Sequence, residues 1–248
     1  MSVIEKAGIA RRTMVLFFVI DASGSMDGNK IGRVNQAIRE VIPDIKDLND
    51  GSDALIKIAA LEFSSGARWL TDGGPVEADQ YNWRDIDAAG TTDLGAACKT
   101  LNEKLSTKGN GFMKEATGSY APAIFLLSDG DPTDDWQKEL NNLKQNNWFK
   151  AAVKIAIAIG DDANKDVLKE FTGNKETVLE VHNSAMLMKM IKFVSVTASR
   201  VASKSSNAVD PSQGATDNQA KTDEMIENIQ DFKEEQEEDP DANVREEL

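Results

Sequence analysis

Asp21, Ser23 and Ser25 stand at alternate positions in the stretch DASGSM, directly after the apolar run MVLFFVI. Alternate residues of an extended chain share one face, so these three oxygen-bearing side chains converge only if the turn after the run holds them together. Similar oxygens follow other apolar runs: Asp129 and Asp131 after APAIFLLS, and Asp161 and Asp162 after AVKIAIAIG. Thr91, Thr92 and Asp93 precede the segment LGAACKTLNEKL. Carboxylates, hydroxyls and water, without nitrogen or sulfur, are the ligands of hard cations. Mg2+ is the first expectation, because it takes near-octahedral oxygen at about 2.1 Å and keeps several waters, so that a few side chains suffice. Mn2+ is a close substitute. Taken singly, each residue reads as well as a loop or helix-capping position. Their order and spacing favour the cation.

The elements that must position them alternate in type. MVLFFVI reads as a strand buried on both faces, and Ile31, Val34, Ile38, Val41, Ile42 and Ile45 then recur at helical spacing, with a kink or early end expected at Pro43. ALIKIAALEF is a second strand with SSGARWL as its hairpin partner, and an irregular stretch from Thr71 to Gly90 leads to a helix around LGAACKTLNEKL. APAIFLLSD, AVKIAIAIG and TVLEVH are further strands, alternating with helices over DDWQKELNNLKQ, ANKDVLKEF and SAMLMKMIKFVSVTASRV. This alternation predicts an α/β fold: a doubly wound, open, mostly parallel six-stranded sheet with one antiparallel edge strand and helices on both faces. In such sheets ligands bind beyond the carboxyl ends of the strands, where the connections change direction. The oxygens named above all fall on that rim.

The chain has 248 residues, 40% of them hydrophobic, enough for one substantial core with an appendage. Cys98 is the only cysteine and His182 the only histidine, which excludes an intrachain disulfide framework and Cys/His zinc sites. Formal net charge is −14, and from Asp217 to Leu248 there are 13 acidic residues against Lys221, Lys233 and Arg245. Acidity of this kind repels phosphate backbones, so nucleic acid is not an expected partner. The apolar run Met14 to Ile20 is seven residues long and ends at Asp21, too short for an export signal, and no segment approaches the ~20 apolar residues of a membrane span. A cytoplasmic protein without a membrane partner is expected. The organisation reads as a lead-in over 1–12, a folded domain over 13–203, a polar linker over 204–221 and an acidic tail over 222–248.

Three motifs in order carry a family resemblance. DASGSM resembles the Asp-x-Ser-x-Ser signature of the von Willebrand factor type A domain, with its metal-ion-dependent adhesion site. AGTTDLGAAC is similar to that family's Gly-Gly-Thr-x-x-Gly-x-Ala-Leu segment, and LLSDGDPTDD to its Thr-Asp-Gly-x-Pro-Thr-Asp segment. The resemblance covers roughly residues 10–202, and its style is closest to small free-standing bacterial members associated with tellurite resistance and stress. It implies a metal site made of Asp21, Ser23, Ser25, Thr92 and Asp129. Thr92 is favoured over Thr91 because it matches the Thr-x-x-Gly spacing to Gly95, although Thr91 then occupies the family's second glycine. Ser128 stands where threonine is common, a change expected to matter little.

The implied function is Mg2+-dependent protein binding rather than catalysis: the cation takes an Asp or Glu carboxylate of a partner protein as a remaining ligand, within a bacterial stress-response, signalling or defence assembly. Two alternatives remain. A Mg2+-dependent phosphoester hydrolase would use Asp21 as nucleophile, but it needs an acid two residues later, where Ser23 stands and cannot act as a general acid near neutral pH. A scaffold or adaptor would join one partner at the metal rim and a second protein at the tail, where Met225, Ile229 and Phe232 form a narrow apolar edge on an acidic helix. Serine hydrolysis has no G-x-S-x-G elbow and only His182 as a base. KGNGF at 108–112 reads as a flexible loop on the opposite rim, Cys98 as a small buried apolar residue, and the methionines at 186, 188 and 190 as core packing.

Overall fold

The computed structural model describes residues 11–51, 54–115 and 118–181, together with 186–187, 189–193, 197, 223–224 and 226–232. The order is β1 (Arg12–Asp21), α1 (Asn29–Gly51), β2 (Ala54–Ser64), β3 (Gly66–Trp69), β4 (Val76–Glu77), α2 (Leu94–Lys104) and β5 (Ala123–Ser128). Then come α3 (Trp136–Leu143), α4 (Asn147–Ala151), β6 (Val153–Ile159), α5 (Lys165–Thr172) and β7 (Val178–Val181). The main path of the sheet runs β3-β2-β1-β5-β6-β7. All pairs along it are parallel except β2 with β3.

The sheet has seven strands rather than six, because Val76 and Glu77 add a two-residue antiparallel pairing to Ile58 and Lys57 of β2. So short a strand leaves no periodicity to read. Nine of the ten residues of β1 are buried, as its central place between β2 and β5 requires. Met14, Leu16, Phe18 and Ile20 pack on one face with α1 and with Leu187, Met190 and Ile191. Val15, Phe17 and Val19 pack on the other with α2, α3 and α5. At about 1.5–3 kcal/mol for each large side chain buried, both faces are needed to hold β1 in place. Pro43 does not end α1, which continues to Gly51. Pro43 itself is exposed, while Val41, Ile42 and Ile45 around it are buried, and that burial offsets the lost backbone hydrogen bond.

The apolar edge of the tail is spent on the domain itself. Residues 226–232 are helical, Ile229 is only 1% exposed within the core that faces α1, and Phe232 stacks on Phe193 with ring centroids 4.5 Å apart. Ile229 and Phe232 are therefore not a free partner surface; Met225 lies outside the described residues, as do the linker and the first ten residues. Among the described residues no helix is long and apolar enough to cross a membrane.

Candidate metal centre

β1 leads through α1 to β2 on one side, while β5 lies on the other side of β1. The carboxyl ends of β1 and β5 therefore form the switch point of the sheet, where a crevice is expected. The register Ile20↔Leu127 brings Ser128 alongside Asp21, and its hydroxyl donates to Asp21 Oδ2 at 2.6 Å. The bond is made by the hydroxyl that serine shares with threonine, so either residue at 128 offers it. Asp21 Oδ1 accepts the backbone N–H of Ser23 at 2.9 Å, which bends the chain out of the strand into a 3-10 turn over Gly24–Met26.

From that turn the oxygens converge. Ser23 Oγ lies 3.0 Å from Ser25 Oγ, and Ser25 Oγ donates to Asp129 Oδ1 at 2.8 Å. Thr92 arrives because its loop is laced to its neighbours: Ala89 N–H donates to Ala22 O, Gly24 N–H to Gly90 O, and Thr133 N–H to Thr92 O. A methyl group placed on Gly130 would sit 3.3 Å from Ser25 Oγ and 3.4 Å from Thr92 Oγ1, so both hydroxyls line one spot beside this glycine. Thr91 faces elsewhere, bonding Asp93 Oδ1 at 2.9 Å and Ser65 Oγ at 3.0 Å.

Asp21 is fully buried, Ser23 is 1% exposed, Asp129 4% and Thr92 6%. Burial raises the Asp21 carboxyl above its ordinary value, against the hydrogen bonds from Ser128 and Ser23 that pull it down; the charge of Asp129 adds to the rise. Two carboxylates, Asp21 and Asp129, thus stand among the hydroxyls of Ser23, Ser25 and Thr92, with one ammonium, that of Lys30, against Asp129. That donor chemistry fits a hard divalent cation. Among the described residues there is no cluster of three or more His, Cys, Asp or Glu able to hold a metal, so hydroxyls must complete any such site.

The other acids of the rim have structural partners. Asp134 caps α2, accepting from the N–H of Gly95 at 3.0 Å and of Ala96 at 2.9 Å. Asp93 accepts from Gly66 N–H at 2.8 Å, and Asp131 pairs with the Asn164 side chain. Asp161 is exposed, and Asp162 bonds Lys30 at 3.0 Å. Lys30, in the first turn of α1, is a participant that the pattern of oxygen-bearing residues does not reveal: its Nζ is 2.5 Å from Asp129 Oδ2. Burial works against this ammonium, yet its bonds to Asp129 and Asp162 hold its pKa above the ordinary lysine value. Lys30 in turn pulls the Asp162 carboxyl down. Cys98 is buried in α2 with its thiol pushed up by desolvation, and Phe112 of KGNGF packs against Phe17 and Trp69. His182 lies outside the described residues.

A mostly parallel doubly wound sheet with hydroxyls and carboxylates gathered at its switch point defines a class of ligand-holding α/β domains. Within that class the family model of the von Willebrand factor type A domain matches residues 16–193, and the chain belongs to this family. Domains of this family typically mediate protein–protein interaction. The chain is 25% identical over 181 residues to inter-alpha-trypsin inhibitor heavy chain H1 of Sus scrofa, covering 69% of this chain and 19% of that one. Human heavy chain H6 is 26% identical over 190 residues, 69% of this chain and 14% of its own. The chain thus spans less than a fifth of these relatives. Among solved structures, a von Willebrand factor type A protein from Catenulispora acidiphila superposes with a TM-score of 0.55 at 18% identity, over 75% of this chain and 43% of that chain. Proximal thread matrix protein 1 of the mussel byssus, with a zinc-occupied MIDAS motif, gives 0.53 at 21% identity, over 76% and 46%.

Proposed function

We propose that this chain is a Mg2+-dependent protein-binding module, with Mn2+ as an acceptable substitute, whose cation is held by Asp21, Ser23, Ser25, Thr92 and Asp129. The carrying observation is the run of contacts from Ser23 to Ser25 to Asp129, with the Thr92 hydroxyl facing the same spot beside Gly130. When bound, the cation supplies a Lewis acid with a coordination position open to an Asp or Glu carboxylate of a partner protein. The chain's own residues set up that selectivity. Neutral hydroxyls from Ser23, Ser25 and Thr92 leave more positive charge unneutralised than carboxylates in their place would. Burial of Asp21 and its bonds to Ser23 and Ser128 keep it fixed when a ligand arrives.

Ser23 weighs against a phosphoester hydrolase, since it offers no acid at the position where that chemistry needs a proton donor. Work within a cytoplasmic bacterial stress-response, signalling or defence assembly belongs to the same proposal and rests on the motifs' likeness to small free-standing bacterial members.

Capture on an immobilised peptide array tests the reading. Capture is expected from peptides carrying Asp or Glu, only with Mg2+ or Mn2+ present, and lost when those residues become Asn or Gln. Capture unchanged by EDTA and by Ser23→Ala would sink it.

A further inference from the structure

Lys30 is placed to act on whatever the rim binds. Its ammonium lies 2.5 Å from Asp129 Oδ2 and 3.0 Å from Asp162 Oδ1, with the side chain 12% exposed. Asp129 holds Ser25 Oγ with its other oxygen at 2.8 Å, so a single carboxylate separates Lys30 from the proposed ligand hydroxyls. The turn after β6 is shaped around this lysine. Gly160 there has φ +89°, and a Cβ at that position would fall 2.9 Å from Lys30 Cε and 3.2 Å from Nζ. Glycine both adopts this conformation and leaves the room. An ammonium has three donors, of which Asp129 and Asp162 take two.

We infer that Lys30 is the specificity-determining residue of this rim, lowering affinity for the cation while holding the partner's carboxylate beside it. The inference rests on the proposed cation site. Two effects of opposite sign follow from one charge. Toward the cation, a fixed positive group bonded to Asp129 Oδ2 is repulsive and withdraws part of that carboxylate's negative charge. Toward an incoming carboxylate, the same group is attractive, and its third N–H supplies a hydrogen bond to the oxygen that the cation does not take. The loosely held cation and the second anchor together make the occupied rim a better receptor for an anion than the site's own acids alone would allow.

The test replaces Lys30 by Met, which keeps most of the stem and removes the charge, with Lys30→Gln as a second neutral variant. Mn2+ alone is titrated into each full-length protein by calorimetry, and acetate is then titrated into the Mn2+-loaded forms, followed by water-proton relaxation. Mn2+ is expected to bind about tenfold more tightly to the variants, by the size of a unit charge removed at short range in a partly solvated site. Acetate is expected to bind several-fold more weakly. Weaker or unchanged Mn2+ binding in both variants would overturn the inference, since a lysine that only braces Asp129 loosens the site when removed. Tighter Mn2+ binding with acetate unaffected would overturn the second anchor. Wild-type protein that binds no Mn2+ would overturn the cation site itself, a failure distinct from the other two.

Discussion

Polar side chains do different work at the two edges of this sheet. At the amino-terminal edge they are spent on the backbone. Asn49 accepts from Ile56 N–H at 2.7 Å and donates to Ile56 O at 3.0 Å; Asn146 receives Trp148 N–H and donates to Leu105 O; Lys154 Nζ donates to Phe149 O and Ala152 O. At the carboxyl-terminal edge Asp134 and Asp93 also hold backbone N–H groups, but a second set is bonded side chain to side chain, through Ser23, Ser25, Asp129, Lys30 and the pair Asp21 and Ser128. A side chain tied to a backbone group cannot leave without orphaning it. Side chains tied to each other can trade partners for a ligand, and this separates a site from a set of caps.

Substitutions at the two edges should therefore have opposite signatures. The largest effect is expected for Asp21→Asn, which should weaken Mg2+ or Mn2+ binding beyond the about 10- to 100-fold cost typical of losing a residue that only orients a ligand. Its ion-free stability should hold or rise, as calorimetry and denaturant melts would register together. Asn49→Ala should do the reverse, costing about 2–4 kcal/mol by leaving a buried N–H and C=O of Ile56 without partners, with cation affinity intact. If it weakens the ion instead, the two edges are not independent.

Acidity gives the next effect. The folded pKa of Asp21 is raised above 3.8, so its favourable contribution to ion-free stability is present below 3.8 and is lost as pH rises through the raised value. Cation binding runs the other way, because only the carboxylate binds: affinity should fall by up to about tenfold per pH unit below that raised value. Titrations of Mn2+ at a series of pH values check the sign. The smallest effect separates neighbours. Thr91→Ala should change cation affinity less than about twofold, being bonded to Ser65 and Asp93 on the surface, while Thr92→Ala should lose about tenfold or more. Equal effects would reverse the assignment of the hydroxyl.

The sheet was readable because β1, β5 and β6 are apolar runs buried on both faces, which leaves little else for them to be. β4 was not, since two residues carry no pattern. Pro43 does not bring the early end, because termination depends on packing as well as on the proline itself, and Ile42 and Ile45 beside it are buried. The gathering of Asp21, Ser23, Ser25, Thr92 and Asp129 followed from strand ends and motif order. Lys30 escaped because it comes from a helix rather than a strand end, and its charge does not suit a search for oxygen ligands. The one local signal was a lysine in the first turn after the DASGSM loop. Asp134 escaped for another reason: it caps a helix whose first turn lies 39 residues earlier, a pairing that no local window contains.

Phe232 against Phe193 and Ile229 within the core also bear on how the molecule behaves in solution. Cutting the chain before residue 223 would uncover the apolar ground under both side chains and, in the same stroke, strip away the densest block of negative charge. A trimmed domain would be stickier and less self-repelling at once. The tail is thus a built-in dispersant as well as a patch.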